Sequence, residues 1–149
     1  MISIDTLNKL ALNKLNDSKI LLNANKFDTS LYLVGYSIEL ALKSKICKIL
    51  KLNDGFPETK QEFQYYISDS NNDLGNEIKH LKQIKNHDLT KLLFYSGQEY
   101  KIKKDLFEEW NKIINYWNPE LRYKIDIGDK NFNDEIINSV EKLLNLIFK

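Results

Sequence analysis

Two prolines and five glycines are all that 149 residues offer for breaking a helix. That scarcity constrains the fold more than any other feature of the chain, because Pro and Gly are the strongest local punctuation a sequence has. Apolar residues recur at helical spacing over long stretches, and no segment sustains the period-two alternation of a half-buried strand. The expectation is an all-α fold, a helical bundle in a single domain spanning residues 1–149. A chain this long buries roughly 70% of its unfolded surface, so it needs no disulfide or metal staple.

The spacing predicts a first helix over about Ile4 to Asn23, with Leu7, Leu10, Ala11, Leu15, Ile20, Leu21 and Leu22 on its apolar side. A second helix starts near Asp28 or Thr29, either of which suits an N-cap, and runs to about Leu52. Leu31, Val34, Ile38, Ala41, Leu42 and Ile49 make it the most apolar segment, so it belongs at the centre. Gly35 weakens that helix, which points to a close approach by another helix. Asn53 to Pro57 stops it. A third helix is expected over Glu58 to about Ile67, a polar loop over Ser68 to Asn72, and a fourth helix over about Leu74 to Ile84. A short helix follows through Leu92-Leu93, capped by Asn86 or His87. Another spans about Lys103 to Trp117. Asn118-Pro119 interrupts the chain. The last helix covers about Asp134 to Ile147, with Ile136, Ile137, Val140, Leu143, Leu144 and Ile147 facing the core.

Composition excludes several classes. The formal net charge is +1, without the strong basic excess of many nucleic-acid domains, although a local basic patch is compatible with it. Arg122 is the only arginine, which argues against bidentate base or phosphate readout. One cysteine, Cys47, and two histidines rule against a disulfide and a structural zinc site. Cys47 lies in an apolar helical stretch and reads as a buried thiol. No apolar stretch has the length of a membrane span, and the N-terminal residues lack a signal-peptide pattern. The expected compartment is the cytoplasm, with no membrane, metal or cofactor.

Four pieces carry chemistry: Leu33 to Ser44, Phe56-Pro57, His87 to Leu93, and Trp117 to Tyr123. Glu39 is an acid inside an apolar helix, with Lys43 one turn later on the same face. The two read either as an ion pair at the edge of the core or as a polar notch in a cleft or dimer interface. His87-Asp88 opens a short helix. Asp88 complements the helix N-terminus, and His87 is either a packed, backbone-bonded ring or a general base. Trp117 to Tyr123 is either a structural corner, with Arg122 paired to Glu120 or Asp126, or a contact for phosphate or a partner. Tyr65, Tyr66 and Tyr95 read as core or interface aromatics, or as base-stacking rings.

In this order the pieces resemble the HEPN superfamily, the nucleotide-binding domains of higher eukaryotes and prokaryotes. The helix with Gly35-Tyr36, Glu39 and Leu42-Lys43 looks like its second core helix. His87-Asp88-Leu89 looks like its His-Asp-Leu turn, and Trp117 through Arg122-Tyr123 is similar to a segment before the last helix of some bacterial members. The resemblance covers about Asp5 to Phe148. It implies an antiparallel up-and-down bundle of four to five main helices that forms a homodimer. It also implies a nucleotidyltransferase-like partner in toxin–antitoxin or phage-defence systems. A nucleotide or RNA phosphate would sit near Glu39, Lys43, His87, Asp88, Arg122 and Tyr123. Ribonuclease members carry an Arg followed by a His. Here no His follows Arg122, so that motif cannot be written. The expectation is a non-catalytic module. The alternatives are a variant metal-independent ribonuclease using His87 with Lys82 or Lys85, and a helical scaffold without a ligand.

Overall fold

The computed structural model describes residues 1–83 and 87–149. Among these residues the fold is all-α, with no strand and a single isolated bridge, Ile2 to Phe56. Helix α1 covers Ile4–Asn23, α2 Phe27–Ile49, α3 Lys60–Asp69, α4 Asn72–Gln83 and α5 Leu89–Tyr95. Helix α6 covers Glu99–Asp105 and α7 Phe107–Tyr116. A 3-10 turn covers Pro119–Tyr123, and α8 covers Lys130–Phe148. The expected end of the fourth helix at Ile84, the cap at Asn86 and the candidate Lys85 lie outside the described residues.

Three long helices form the frame. Helices α1 and α2 run antiparallel: Asn8 accepts from Ser44, while Ser18 and Ser30 lie side by side. Each of those two serines donates its hydroxyl to the other's backbone carbonyl, at 2.8 Å both ways. Such reciprocal bonding lets two small, fully buried side chains close the helix pair without leaving an unsatisfied polar group. Helix α8 lies alongside, tied by Asn133 Nδ2 to the Phe27 carbonyl and by Lys19 to Glu141. Its expected core residues Ile136, Ile137, Val140, Leu143, Leu144 and Ile147 are all buried. Buried apolar side chains from all eight helices join one core cluster, and α2 contributes more buried residues than any other element.

Several boundaries differ from expectation, each for a physical reason. Neither Asp28 nor Thr29 caps α2. The helix starts at Phe27, and the Asp28 carboxylate accepts the backbone N–H groups of Asp126, Ile127 and Gly128 at 2.8–3.3 Å. A long-range staple has taken the side chain that local rules assign to a cap. Helix α2 ends at Ile49 rather than Leu52, because Lys51 adopts a left-handed φ of 54°. Ile20 and Ile49 are exposed, since neighbours on a helix turn by about 100° and not every apolar residue can face inward. Helix α3 starts at Lys60, two residues later than Glu58: Thr59 is its cap, in a reciprocal capping box with Glu62. The polar loop before α4 is shorter than expected, with Asn71 Oδ1 accepting from Leu74 N–H. Asp88, not Asn86 or His87, caps α5 through Lys91 N–H.

The helix expected over Lys103 to Trp117 is two helices broken at Leu106, where φ is −138° and ψ is 40°. Neither Pro nor Gly marks the break. Ile102 before the break and Trp110 after it both lie in the core, at most 2% exposed. Helix α8 begins at Lys130, earlier than Asp134, because Asp129 caps it through Phe132 N–H. Cys47 is buried as expected, and burial pushes its thiol up to about 12, which leaves it an inert core group.

The capping box generates a pH prediction. The Met1 ammonium, then the N–H groups of Glu58 and Thr59, hold the Glu62 carboxyl down at about 2. A depressed carboxyl contributes stability above its unfolded value, and that contribution is lost as pH falls toward the folded one. Thermal unfolding of Glu62→Gln is therefore expected to lie below wild type at pH 7, with the gap closing between about pH 4.5 and pH 2. A gap that stays constant over that range would contradict this assignment.

Candidate functional site

The four chemistry-bearing pieces of sequence converge on α2. Glu39 is fully buried in its middle. Its Oε1 lies 3.0 Å from Lys43 Nζ and its Oε2 2.9 Å from His87 Nδ1. Lys43 also reaches Glu58, at 3.6 Å, and its ammonium sits 4.9 Å from the centre of the Phe56 ring. So the buried acid of the second helix, the Phe56-Pro57 turn and the His87 turn share one cluster.

Trp117 brings in the fourth piece. Its indole covers Gly35, where an added Cβ would fall 2.0 Å from Trp117 Cδ1. Its Nε1–H donates to the Tyr32 carbonyl at 2.9 Å, and the Tyr32 ring stacks between Trp117 and Tyr36. Gly35 does mark a close approach, but by a side chain from the end of α7 and not by another helix backbone.

Electrostatics explain why the parts are bound together. An ionised carboxylate with no access to water costs several kcal/mol unless paired. Glu39 recovers that cost from Lys43 and His87, although the approach of Lys43 to Oε1 is not aligned as a hydrogen bond. Tyr36 borders the cluster. Burial raises its phenol above the usual value, and the neighbouring Glu39 charge raises it further.

The bond to the carboxylate requires a proton on His87 Nδ1. The ring is half exposed, and among the described residues no partner reaches Nε2. Its outer side borders two adjoining depressions. One, of about 190 Å³, is lined by His87, Asp88, Leu89, Thr90, Ile114, Trp117 and Asn118. The other, of about 270 Å³, is lined by His87, Asp88, Asn118, Pro119 and Glu120. The groove is thus apolar along its floor and acidic at its rim.

The expected site residues separate into two groups. Glu39, Lys43, His87 and Asp88 come together, Asp88 as the cap of α5. Arg122 and Tyr123 lie elsewhere, on the 3-10 turn. Among the described residues no carboxylate pairs with Arg122. Its guanidinium lies 4.9 Å from the Tyr123 ring, and the Tyr123 and Tyr32 hydroxyls hold it charged even more firmly than usual. Neither Glu120 nor Asp126 takes the pairing role expected of it. Asp126 instead bends the chain at a φ of 56°. Lys43 is buried and engaged by two carboxylates, so it offers no ammonium to a ligand. Lys82 sits in the last turn of α4, exposed and not on the same helix as His87. Tyr66 is a core residue bonded to the Gly55 carbonyl, and Tyr65 is an exposed ring bonded to Asp54.

Glu58 belongs to the cluster, and sequence reasoning did not single it out. No local signal marks Glu58, since it reaches Lys43 only because the Phe56-Pro57 turn folds back over α2. Among the described residues no group of His, Cys, Asp and Glu is placed to hold a metal ion, and no helix is long and apolar enough to cross a membrane. No protein-family model, curated protein or solved structure matches the chain.

Two sets of substitutions test the cluster. Glu39→Leu alone strands Lys43 in the core, a change expected to cost about 3–5 kcal/mol, and adding Lys43→Met is expected to restore most of the loss. Denaturant midpoints of the single and double variants decide this, and a double variant no better than the single one contradicts it. Gly35→Ala is expected to cost at least about 1–3 kcal/mol by overpacking against the indole. In a Trp117→Ala background the same change should cost far less.

Proposed function

We propose that this chain is a non-catalytic, HEPN-like helical module that acts by assembly, as a homodimer and with a nucleotidyltransferase-like or other partner in a toxin–antitoxin or defence setting. The observation that carries the reading is the convergence on α2. Glu39 bonds His87 across 48 positions of sequence, and Trp117 covers Gly35. Of the residues that carried the resemblance, Gly35, Glu39, Lys43, His87 and Trp117 pack together on α2, while Arg122 and Tyr123 lie elsewhere.

The surface around the groove supports assembly. On α7, Phe107 and Ile114 stand two turns apart on one face, 54% and 36% exposed. Ile114 also lines the groove beside His87. An apolar stripe running into a groove with an acidic rim suits a protein partner, since interfaces combine an apolar centre with a polar edge. The same rim disfavours a nucleotide or RNA phosphate in this groove, because Asp88 and Glu120 repel it.

One observation favours the second reading, a variant ribonuclease using His87. A carboxylate that orients a histidine through Nδ1 is the arrangement a general base requires. Among the described residues no cation is placed for the developing phosphorane charge, a group whose loss costs on the order of a hundredfold or more. Arg122 lies over the Tyr123 ring on the 3-10 turn, outside the groove's lining, and Lys43 is buried.

Light scattering of the purified chain is expected to report a dimer. Ile114→Asp should shift it to monomer while leaving the circular dichroism spectrum unchanged. A monomer at every concentration removes the assembly reading. Structured and unstructured RNA should survive incubation with the protein, with or without chelator. Metal-independent cleavage abolished by His87→Ala or Lys82→Ala would promote the ribonuclease instead.

A further inference from the structure

Another charged surface lies at the C-terminal end of α2 and uses none of the groove's residues. Lys45 and Lys48 stand one turn apart on α2, beside Ile49, which is 55% exposed. The turn that leads into α6 packs on Ile49: a Cβ at Gly97 would lie 3.2 Å from Ile49 Cδ1. That contact brings the start of α6 up to the end of α2, with Lys101 near Lys45, and Tyr100 and Lys104 follow on the same short helix. Burial lowers the Lys45 ammonium below its usual value, and the Lys48 and Lys101 charges push it the same way. Lys45 thus stands within reach of the charges of both Lys48 and Lys101. Among the described residues none of these four lysines pairs with a carboxylate, while the nearby Glu99 is taken by Lys103. Tyr100 is 77% exposed, with Lys104 Nζ 5.9 Å from its ring centre.

We propose that Lys45, Lys48, Lys101 and Lys104, with Tyr100, form a docking surface for single-stranded nucleic acid bound through its phosphates without regard to sequence. Unpaired like charges held together lose repulsion when a polyanion arrives, and counterion release adds to the gain. The patch is made of lysines, point charges that suit phosphates rather than base edges. The exposed ring supplies what a phosphate cluster lacks, a face on which a base can stack. An anionic membrane fits less well. Ile49 is the single aliphatic residue of the patch and is half covered by the Gly97 turn, so little apolar surface is left to enter a bilayer. The chain as a whole is nearly neutral, at +1, so binding depends on this local excess.

The inference stands apart from the assembly reading, and its test reads a different property. Fluorescence anisotropy of a labelled single-stranded RNA 12-mer with the full chain is expected to show salt-sensitive binding. The slope of log K against log salt should be about −3, at about 0.7 per lysine–phosphate contact. The pair Lys48→Gln with Lys101→Gln should halve that slope and weaken binding roughly tenfold at low salt. Tyr100→Ala should weaken binding with the slope unchanged, because stacking carries no counterion term. A control pair elsewhere, Lys9→Gln with Lys130→Gln, should leave binding at wild-type strength. Circular dichroism confirms that each variant folds. Absent RNA binding at low salt overturns the proposal, as does equal loss in the two lysine pairs. So does preferential binding to phosphatidylserine vesicles, which would make the patch a membrane contact.

Discussion

The burial of one carboxylate organises this protein. Glu39 sits in the middle of the most buried helix with no access to solvent. A charge in that position is tolerable only if oppositely charged or hydrogen-bonding groups are brought to it. Lys43 arrives from the next turn of α2, and the His87 turn arrives from 48 positions away. Lys43 in turn draws in Glu58, which fixes the Phe56-Pro57 turn over the helix. A leucine at position 39 would pack as well and leave those segments without a reason to meet there. The polar cluster thus specifies an arrangement that apolar packing by itself leaves degenerate.

A second organising contact works by shape. The Trp117 indole occupies the space that any side chain at position 35 would fill, and its Nε1–H closes onto the Tyr32 carbonyl. This anchors the end of α7 on the frame and sets the course of the 3-10 turn that follows. Asp28 completes the job from the other side by gathering three backbone N–H groups of the segment before α8. The groove beside His87 exists because these contacts hold α5 and the Trp117 corner at a fixed separation.

The two surfaces differ in their chemistry. Around His87 the charges cancel internally and the exposed remainder is apolar with an acidic rim, which favours another protein. At the end of α2 the lysines are uncancelled and carry an exposed tyrosine, which favours a polyanion.

The all-helical fold, the position of α1 and the core face of α8 were legible in the residues, because breaker scarcity and periodicity are local properties. Local chemistry also contained the Thr59–Glu62 capping box, although that signature was missed. The pairing of Glu39 with Lys43 followed from helical spacing. Its link to His87, the approach of Trp117 to Gly35 and the diversion of Asp28 from cap to staple were not legible, since each depends on a partner distant in sequence. The break at Leu106 was hidden for a related reason. No local residue disfavours a helix there, so nothing in the sequence marks the break at Leu106. What the sequence by itself determined, then, was which segments are helical and which face of each is apolar. Tertiary structure alone decided which polar side chains meet, because a buried charge takes its partner from whatever the packed helices bring within about 3 Å of it.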